Sequence, residues 1–201
     1  MDDLVALIVG VAAYPRLDGW TIADDRTAED AIAVAKALRG RNVPKDKIKL
    51  LLSTQTQRDL VEDVPVGPVT MEVLEKFIAE ELGVPPFDGH RFLLFWSGHG
   101  VDAEGRSEPL LVMPDSFTMR GSRRRFKCLG IDHFRTQLQG MDGFAQQLLC
   151  VNACRTPAEW SMTSNDDPPD LVPTSRNPRA DKVRQARFFA ADELKPVPVE
   201  R

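Results

Sequence analysis

The sequence predicts an α/β fold with a mostly parallel central sheet and helices on both faces. Three observations lead to this prediction. Short apolar runs of strand length recur along the chain, with the continuous hydrophobic character of strands buried on both faces. Segments with apolar residues at helical spacing separate these runs. Strands that alternate with helices are joined by right-handed crossovers, which makes neighbouring strands parallel.

Five apolar runs are predicted to form the strands of this sheet. Each is far shorter than a membrane-spanning helix requires, and each lies between segments that favour helix or loop. The predicted strands cover residues 4–10, 48–52, 91–96, 147–152 and 187–191, and residues 108–113 are predicted as a short additional strand.

Three helices are predicted between the strands, each with a polar cap before it and a glycine where it ends. The caps and glycines are Thr27 and Gly40, Thr70 and Gly83, and Asp132 and Gly140. Apolar residues at helical spacing give each helix one face toward the sheet. These residues are Ala28, Ala31, Ile32, Ala35 and Leu38 in the first helix, Leu74, Phe77, Ile78 and Leu82 in the second, and Phe134, Leu138 and Met141 in the third.

The composition is that of one globular domain, predicted to span residues 1–201. Hydrophobic residues make up 42% of the chain and charged residues 28%, and the formal net charge of -4 does not suggest nucleic-acid binding. A short basic run at residues 120–127 is interpreted as a solvated loop, with a docking patch as the alternative. The acidic N-terminus is unlike a signal peptide, and three cysteines do not make a disulfide framework. A reducing cytoplasm is therefore predicted, with no membrane association.

A long irregular loop is predicted at about residues 156–186. Segments 164–170 and 173–179 are rich in proline and short polar residues, which do not form a regular element. Loops of this length within a compact domain are usually either functional or disordered.

Two of the predicted strands end at residues suited to thiol chemistry. His99 follows the strand at 91–96, between two glycines, and Cys154 follows the strand at 147–152. Because the carboxyl ends of parallel strands meet at one edge of the sheet, the imidazole and the thiol are expected to lie close together. The imidazole would take the thiol proton, and the thiolate would attack a carbonyl carbon. The backbone N–H groups of Gly100 and Cys154 are candidate donors to the resulting oxyanion.

Two sequence blocks resemble those of a known peptidase clan. Residues 95–100, Phe-Trp-Ser-Gly-His-Gly, and residues 149–155, Leu-Cys-Val-Asn-Ala-Cys-Arg, are similar to the histidine and cysteine blocks of caspases, metacaspases and paracaspases. They look closest to the bacterial caspase-like members. The order of the strands and the separation of about 55 residues between His99 and Cys154 also suit this clan. The resemblance covers nearly the whole chain and implies a caspase-like α/β sandwich.

The resemblance implies a cysteine endopeptidase that cleaves protein or peptide substrates through an acyl-enzyme. Its dyad would be Cys154 as nucleophile and His99 as general base, with Gly100 and Cys154 as oxyanion donors. Family members cleave after Asp in animal caspases and after Arg or Lys in the other branches. In the Arg/Lys branches, an acid two residues before the nucleophile lines the specificity pocket (S1), and this sequence has Asn152 there.

A second acid of the S1 pocket, in the turn into the first helix, corresponds by resemblance to Asp30. Asp24 and Asp25 lie nearby in the sequence as competitors for this role. Asp30 also has a structural interpretation, because a carboxylate near the start of a helix is favoured by the helix dipole. With Asn152 in place of one acid, a basic residue before the scissile bond (P1) remains the first expectation.

No cofactor and no metal site are predicted. Cys150 and Cys154 are separated by three residues, and Cys128 and His133 do not form the second closely spaced pair that a zinc site needs. Cys150 is interpreted instead as a core cysteine. Some metacaspases use calcium in loops near the active site, but the spacing of the acids in the long loop does not support a calcium site. These acids are Asp166, Asp167 and Asp170.

The resemblance also implies further partners and a rival function. Arginines after Cys154 make the long loop a candidate for self-cleavage or for cleavage by an activating protease, in a bacterial stress or antiviral defence role. These arginines are Arg155, Arg176, Arg179 and Arg184. The chain ends at Arg201, before the strand and loop that complete the cleft in family members, so either it is a fragment or another chain supplies them. The rival function is a catalytically inactive caspase-like scaffold or regulatory module.

Overall fold

A computed structural model describes residues 3–17, 19–20, 22, 25–54, 64–82, 90–102, 109–118, 124–125, 127–141, 143–153, 156–157 and 183–189. The predicted fold class is confirmed, because the chain forms an α/β fold around a central six-stranded sheet. Every strand pairing in this sheet is parallel. The strands lie in the order β12-β10-β4-β1-β2-β3. Their bounds are β1 Leu4–Val11, β2 Ile48–Ser53, β3 Val66–Pro68, β4 His90–Gly98, β10 Phe144–Ala153 and β12 Arg184–Phe189.

Helices cover the two faces of this sheet. The first helix, α1 (Arg26–Gly40), packs through alanines and Ile32 onto one face, against Ala6 and Ile8 of β1. The second helix, α2 (Met71–Lys76), continues as a π-helix over Phe77–Leu82 and packs on the opposite face. The third, α3 (Ile131–Gly140), packs on that face too. The predicted apolar stripes account for this arrangement, because they supply the buried side of each helix.

Short strands that come after β4 in the chain form two further sheets. They belong to a four-stranded sheet in the order β11-β5-β6-β9 and to a separate two-stranded pair, β7-β8. Only the strand predicted at 108–113 was expected from the sequence, because two- or three-residue strands carry no readable periodicity. The bounds are β5 Gly100–Asp102, β6 Pro109–Val112, β7 Phe117–Thr118, β8 Arg124–Arg125, β9 Cys128–Gly130 and β11 Thr156–Pro157. A 3-10 turn at Lys45–Lys47 leads into β2.

The predicted helix caps are right at one helix and wrong at two. Thr70 caps α2, where its hydroxyl accepts the Val73 N–H at 3.2 Å. Helix α1 begins after Asp25, not Thr27, and Asp25 adopts a left-handed conformation without a side-chain cap. Helix α3 begins after Gly130, and Asp132 therefore lies inside its first turn. The predicted ends at Gly40 and Gly140 are confirmed.

Two predicted boundaries shift in the structure. The last strand starts at Arg184, three residues before the predicted 187, so the irregular loop cannot extend to residue 186. Residues 156–157 form β11 at the other end of that loop. Residues 158–182, Gly83 and most of the basic run at 120–127 lie outside the described residues. Among the helices that the structure describes, none is both long and apolar enough to cross a membrane. The single-domain span 1–201 stays a prediction.

Candidate functional site

The carboxyl ends of β4 and β10 lie side by side in the central sheet. Their parallel register pairs Ser97 with Asn152 and Gly98 with Ala153, the last residues of the two strands. Neighbouring strands are about 4.8 Å apart. His99 follows directly after Gly98. Cys154 follows Ala153 in the chain, but it lies outside the described residues, so its position relative to His99 is not given by the structure.

The main chain of His99 is held on both sides of its Cα atom. Its N–H donates to the hydroxyl oxygen of Tyr14, with an N···O distance of 2.8 Å. Its carbonyl oxygen accepts the Val112 N–H of β6 at 3.0 Å. These two bonds replace the ladder of β4, which ends at Gly98. The backbone of His99 is therefore anchored although it lies beyond the end of the strand.

The imidazole ring of His99 is oriented by a backbone carbonyl and two aromatic rings. Its Nε2 lies 2.7 Å from the carbonyl oxygen of Trp20. Because a carbonyl oxygen can only accept, this contact requires the hydrogen on Nε2, and Nδ1 becomes the acceptor of the neutral ring. The Tyr14 and Trp20 rings lie 5.0 and 5.1 Å from the imidazole, centroid to centroid. This arrangement selects the tautomer that a base acting through Nδ1 requires.

A carboxylate, a hydroxyl and an amide meet on the face of the sheet that α1 covers. The Asp30 Oδ2 atom accepts hydrogen bonds from Ser97 Oγ at 3.2 Å and from Asn152 Nδ2 at 3.1 Å. Asn152 Nδ2 also lies 3.2 Å from Ser97 Oγ. We call these three residues the Asp30 cluster. The structure thus brings together two of the three predicted S1 residues, and it adds Ser97.

Helix geometry explains why Asp30 reaches the strand ends. It lies in the second turn of α1, beyond the free N–H groups at the start of the helix. Its carboxylate contacts Ser97 at the end of β4 and Asn152 at the end of β10 instead. Its partners are neutral donors, and within the described ranges no Lys or Arg forms an ion pair with it. Among the described residues, the cluster therefore carries one formal negative charge with no cationic side chain paired to it.

The two acids that compete with Asp30 for the pocket role, Asp24 and Asp25, differ from it. Asp24 lies outside the residues that the structure describes. Asp25 is only 4% exposed, and its Oδ2 accepts the Thr54 hydroxyl at 2.7 Å, which ties it to the end of β2. Asp25 thus joins α1 to the strand on the far side of β1, and the structure gives it no contact with Asn152.

Gly100 is buried and opens the short strand β5, where it pairs with Leu111 of β6 in antiparallel register. This position lies one residue beyond His99 on the same edge of the central sheet. Its predicted role as an oxyanion donor stays a prediction, because the second donor, the Cys154 N–H, is outside the described part of the chain.

Cys128, Cys150 and His133 lie within regular elements of the fold, each inside a strand or a helix. Cys128 is buried in β9. Cys150 is half-buried in β10, and burial raises the pKa of its thiol. His133 lies on α3, where its Nε2 contacts the Gln137 amide at 3.0 Å. Within the residues that the structure describes, no group of three or more His, Cys, Asp or Glu side chains is arranged to hold a metal ion.

Three contact residues of the site carried no prediction from the sequence. Ser97 belongs to the block that includes His99, but it was given no role. Tyr14 and Trp20 lie in the segment after β1, and their contacts with His99 join residues 79 to 85 positions apart in the chain. No signal in the sequence indicates the contacts of Tyr14 and Trp20, because they depend on β1 and β4 lying next to each other in the sheet.

Comparisons with known proteins add no family to this description. No protein-family model matches the chain, and no curated protein matches it in sequence.

Proposed function

We propose that the protein is a cysteine endopeptidase of the caspase-like type, with Cys154 as nucleophile and His99 as general base. The observation that carries the proposal is the register of β4 and β10, which pairs Gly98 with Ala153. His99 and Cys154 are the next residues after this pair. Consecutive Cα atoms are about 3.8 Å apart. The Cα atoms of His99 and Cys154 are therefore each about that far from the Cα atom of the paired residue before them, Gly98 or Ala153.

The orientation of His99 supports its role as the base. With the hydrogen on Nε2 bound to the Trp20 carbonyl, Nδ1 takes the proton from the Cys154 thiol. The thiolate sulfur then bonds to the scissile carbonyl carbon, and the carbonyl oxygen becomes an oxyanion that backbone N–H groups of Gly100 and Cys154 would stabilise. The C–N bond breaks as Nδ1 returns the proton to the leaving amine. Water then hydrolyses the thioester, with His99 again taking and returning the proton.

The Asp30 cluster supports a basic P1 residue in the substrate. It lies beside the paired ends of β4 and β10, next to where the nucleophile leaves the sheet. The negative charge of Asp30 would attract the cationic head of Arg or Lys, and Ser97 and Asn152 provide polar groups around it. Because Asn152 stands in place of a second acid, the pocket has one carboxylate. Its selectivity for a basic P1 residue is therefore expected to be weaker than that of a pocket with two acids.

The test is hydrolysis of a fluorogenic peptide library varied at P1, by the wild type and by Cys154→Ala. Each protein is assayed with calcium and with a chelator. Cleavage after Arg or Lys that disappears in Cys154→Ala is the expected result. Cleavage after Asp or uncharged residues would keep the peptidase and overturn the role of Asp30. A folded wild type that cleaves nothing, and whose Cys154 alkylates no faster than a free thiol, would favour the scaffold function.

Replacing Asn152 with aspartate is expected to sharpen the preference for a basic P1 residue. The change exchanges an amide that donates to Asp30 for a second carboxylate, so a guanidinium gains a charge-assisted partner. Such a bond contributes about 1.5–3 kcal/mol, and we expect the ratio of kcat/KM for P1 Arg over P1 Gln to rise at least about tenfold.

Without substrate, the same change places two carboxylates next to each other. The free energy of unfolding of Asn152→Asp is therefore expected to fall near neutral pH, and to recover as acid protonates one carboxyl group. Asn152→Ala is the matched control, because it removes the amide without adding charge and should not raise the Arg/Gln ratio. An unchanged ratio in Asn152→Asp would mean that residue 152 does not line the P1 pocket.

A further inference from the structure

We propose that Tyr14 is the positioning residue of His99, and that its hydroxyl fixes where the imidazole stands relative to the nucleophile. The inference rests on the proposed function, because it concerns the base of that reaction. Tyr14 is almost completely buried, at 1% exposure, and it lies three residues beyond the end of β1. Its hydroxyl accepts the N–H of His99 at 2.8 Å, and its ring contacts the imidazole with centroids 5.0 Å apart.

The end of the sheet creates the need for this contact. The pairing of β4 with β1 stops at Ser97, and its pairing with β10 stops at Gly98. His99, the next residue, is therefore paired with no residue in either ladder. A buried backbone N–H without an acceptor is strongly disfavoured. The Tyr14 hydroxyl supplies that acceptor, and it does so from the segment that leaves the neighbouring central strand.

Gly98 provides a second, independent observation. A Cβ atom added at Gly98 would lie 3.1 Å from the Tyr14 hydroxyl, 3.1 Å from Val11 Cβ and 3.3 Å from Trp96 Nε1. Glycine at position 98 therefore leaves the space in which the tyrosine hydroxyl reaches the next N–H. Any larger residue at position 98 would compete with the hydroxyl for this space.

Two of the anchors on His99 do not involve the Tyr14 hydroxyl. Val112 holds the carbonyl oxygen, and the Trp20 carbonyl holds Nε2. Loss of the Tyr14 hydroxyl therefore leaves the tautomer of His99 and the bond of its carbonyl oxygen in place. It removes the hydrogen bond of the His99 N–H, so the backbone before His99 is held less firmly. We expect the base to remain present but displaced. A displaced base slows the proton transfer. Substrate binding is not weakened, because Tyr14 is almost completely buried and cannot contact the substrate.

The test compares wild type, Tyr14→Phe and Thr70→Ala. Phenylalanine keeps the ring and removes the hydroxyl, and Thr70→Ala removes the cap of α2, far from His99 in the sequence, as a matched loss of stability. We expect Tyr14→Phe to lower kcat about tenfold with KM unchanged, and to slow iodoacetamide alkylation of Cys154 by a similar factor. Thr70→Ala is expected to keep both rates.

The single tyrosine of the chain allows a readout that does not depend on turnover. Growth with 3-fluorotyrosine labels position 14 alone. Its fluorine resonance is expected to shift in His99→Ala, where the ring contact is lost, and to stay unchanged in Thr70→Ala. A fluorine resonance that is unchanged in His99→Ala would overturn the role of Tyr14. So would a Tyr14→Phe variant with the same kcat and the same Cys154 alkylation rate as an active wild type. A wild type that neither cleaves peptides nor shows accelerated alkylation of Cys154 would overturn the proposed function itself, and this inference with it.

Discussion

Replacing His99 with alanine is expected to lower kcat/KM for peptide hydrolysis about a thousandfold while the protein remains folded. General base catalysis contributes about 10²–10⁴-fold, and in the proposed dyad an imidazole beside the thiol would also favour the thiolate. The change removes the ring that would accept the proton in the proposed reaction, but it keeps the backbone bonds to Tyr14 and Val112. Steady-state kinetics on the best substrate of the library would measure the loss, and circular dichroism would check the fold.

His133→Ala is the matched control for this prediction. His133 lies half-buried on α3 and contacts Gln137 of its own helix, so the substitution removes an imidazole without touching the strand ends. Its kcat/KM is expected to remain within about twofold of the wild-type value, as for an ordinary surface substitution. Similar activities in His99→Ala and wild type would assign the base to another group and would remove the main argument for the dyad.

Replacing Gly10 with valine is expected to be the most destabilising single change near the site, by about 3 kcal/mol or more. A Cβ atom at Gly10 would lie 2.7 Å from the Thr27 carbonyl oxygen, 2.8 Å from Ala31 Cβ and 2.9 Å from Ala28 Cα. These atoms belong to the backbone or lie directly on it, so no rotamer change relieves the clash, and α1 must move away from β1. Overpacking of this kind costs about 1–3 kcal/mol and sometimes more. Urea unfolding followed by circular dichroism measures the difference.

Gly40→Ala provides the control for Gly10→Val. Gly40 is the last residue of α1, and a Cβ atom there meets nothing within 4 Å. Alanine stabilises a helix by about 0.5–1 kcal/mol relative to glycine, so this variant should be as stable as wild type or more so. A midpoint for Gly10→Val equal to that of wild type would mean that α1 does not pack against β1 as closely as described. Because α1 carries Asp30, a shifted helix should also lower selectivity at P1.

Five of the six strands of the main sheet could be predicted from sequence because they contain apolar runs of strand length, and the helices have clear apolar stripes. The sixth, β3, was missed because a strand of three residues has no readable periodicity. The caps were harder. Thr27 and Asp132 both precede an apolar stripe, which made them reasonable N-cap residues. The true start of α3 depends on β9, which runs directly into the helix at Gly130 without a linker. The start of α1 depends on the left-handed turn at Asp25. Neither local geometry is encoded in periodicity.

In the site too, residues within a sequence motif could be predicted, and residues that join the site only by tertiary contact could not. The position of His99 directly after a core strand could be predicted because a motif and a strand end coincide. The contact between Asp30 and Asn152 followed from their predicted pocket roles. Tyr14 and Trp20 could not be found this way. Their contacts with His99 join the segment after β1 to the end of β4, and such a contact exists only once both strands are paired.

The order of strands gives the two halves of the proposed dyad unequal mechanical support. Strand β4, which precedes His99, is paired along its length with β1 and β10 in the interior of the sheet. Strand β10, which precedes Cys154, has β4 on one side and β12 on the other, and β12 is the outermost strand of the described sheet. Partial opening of that edge would loosen one flank of β10 and leave both flanks of β4 closed. In the proposed dyad, the proton acceptor therefore follows a strand that lies between two non-edge strands, and any adjustment of the site to a peptide substrate would fall to β10, the strand that precedes Cys154.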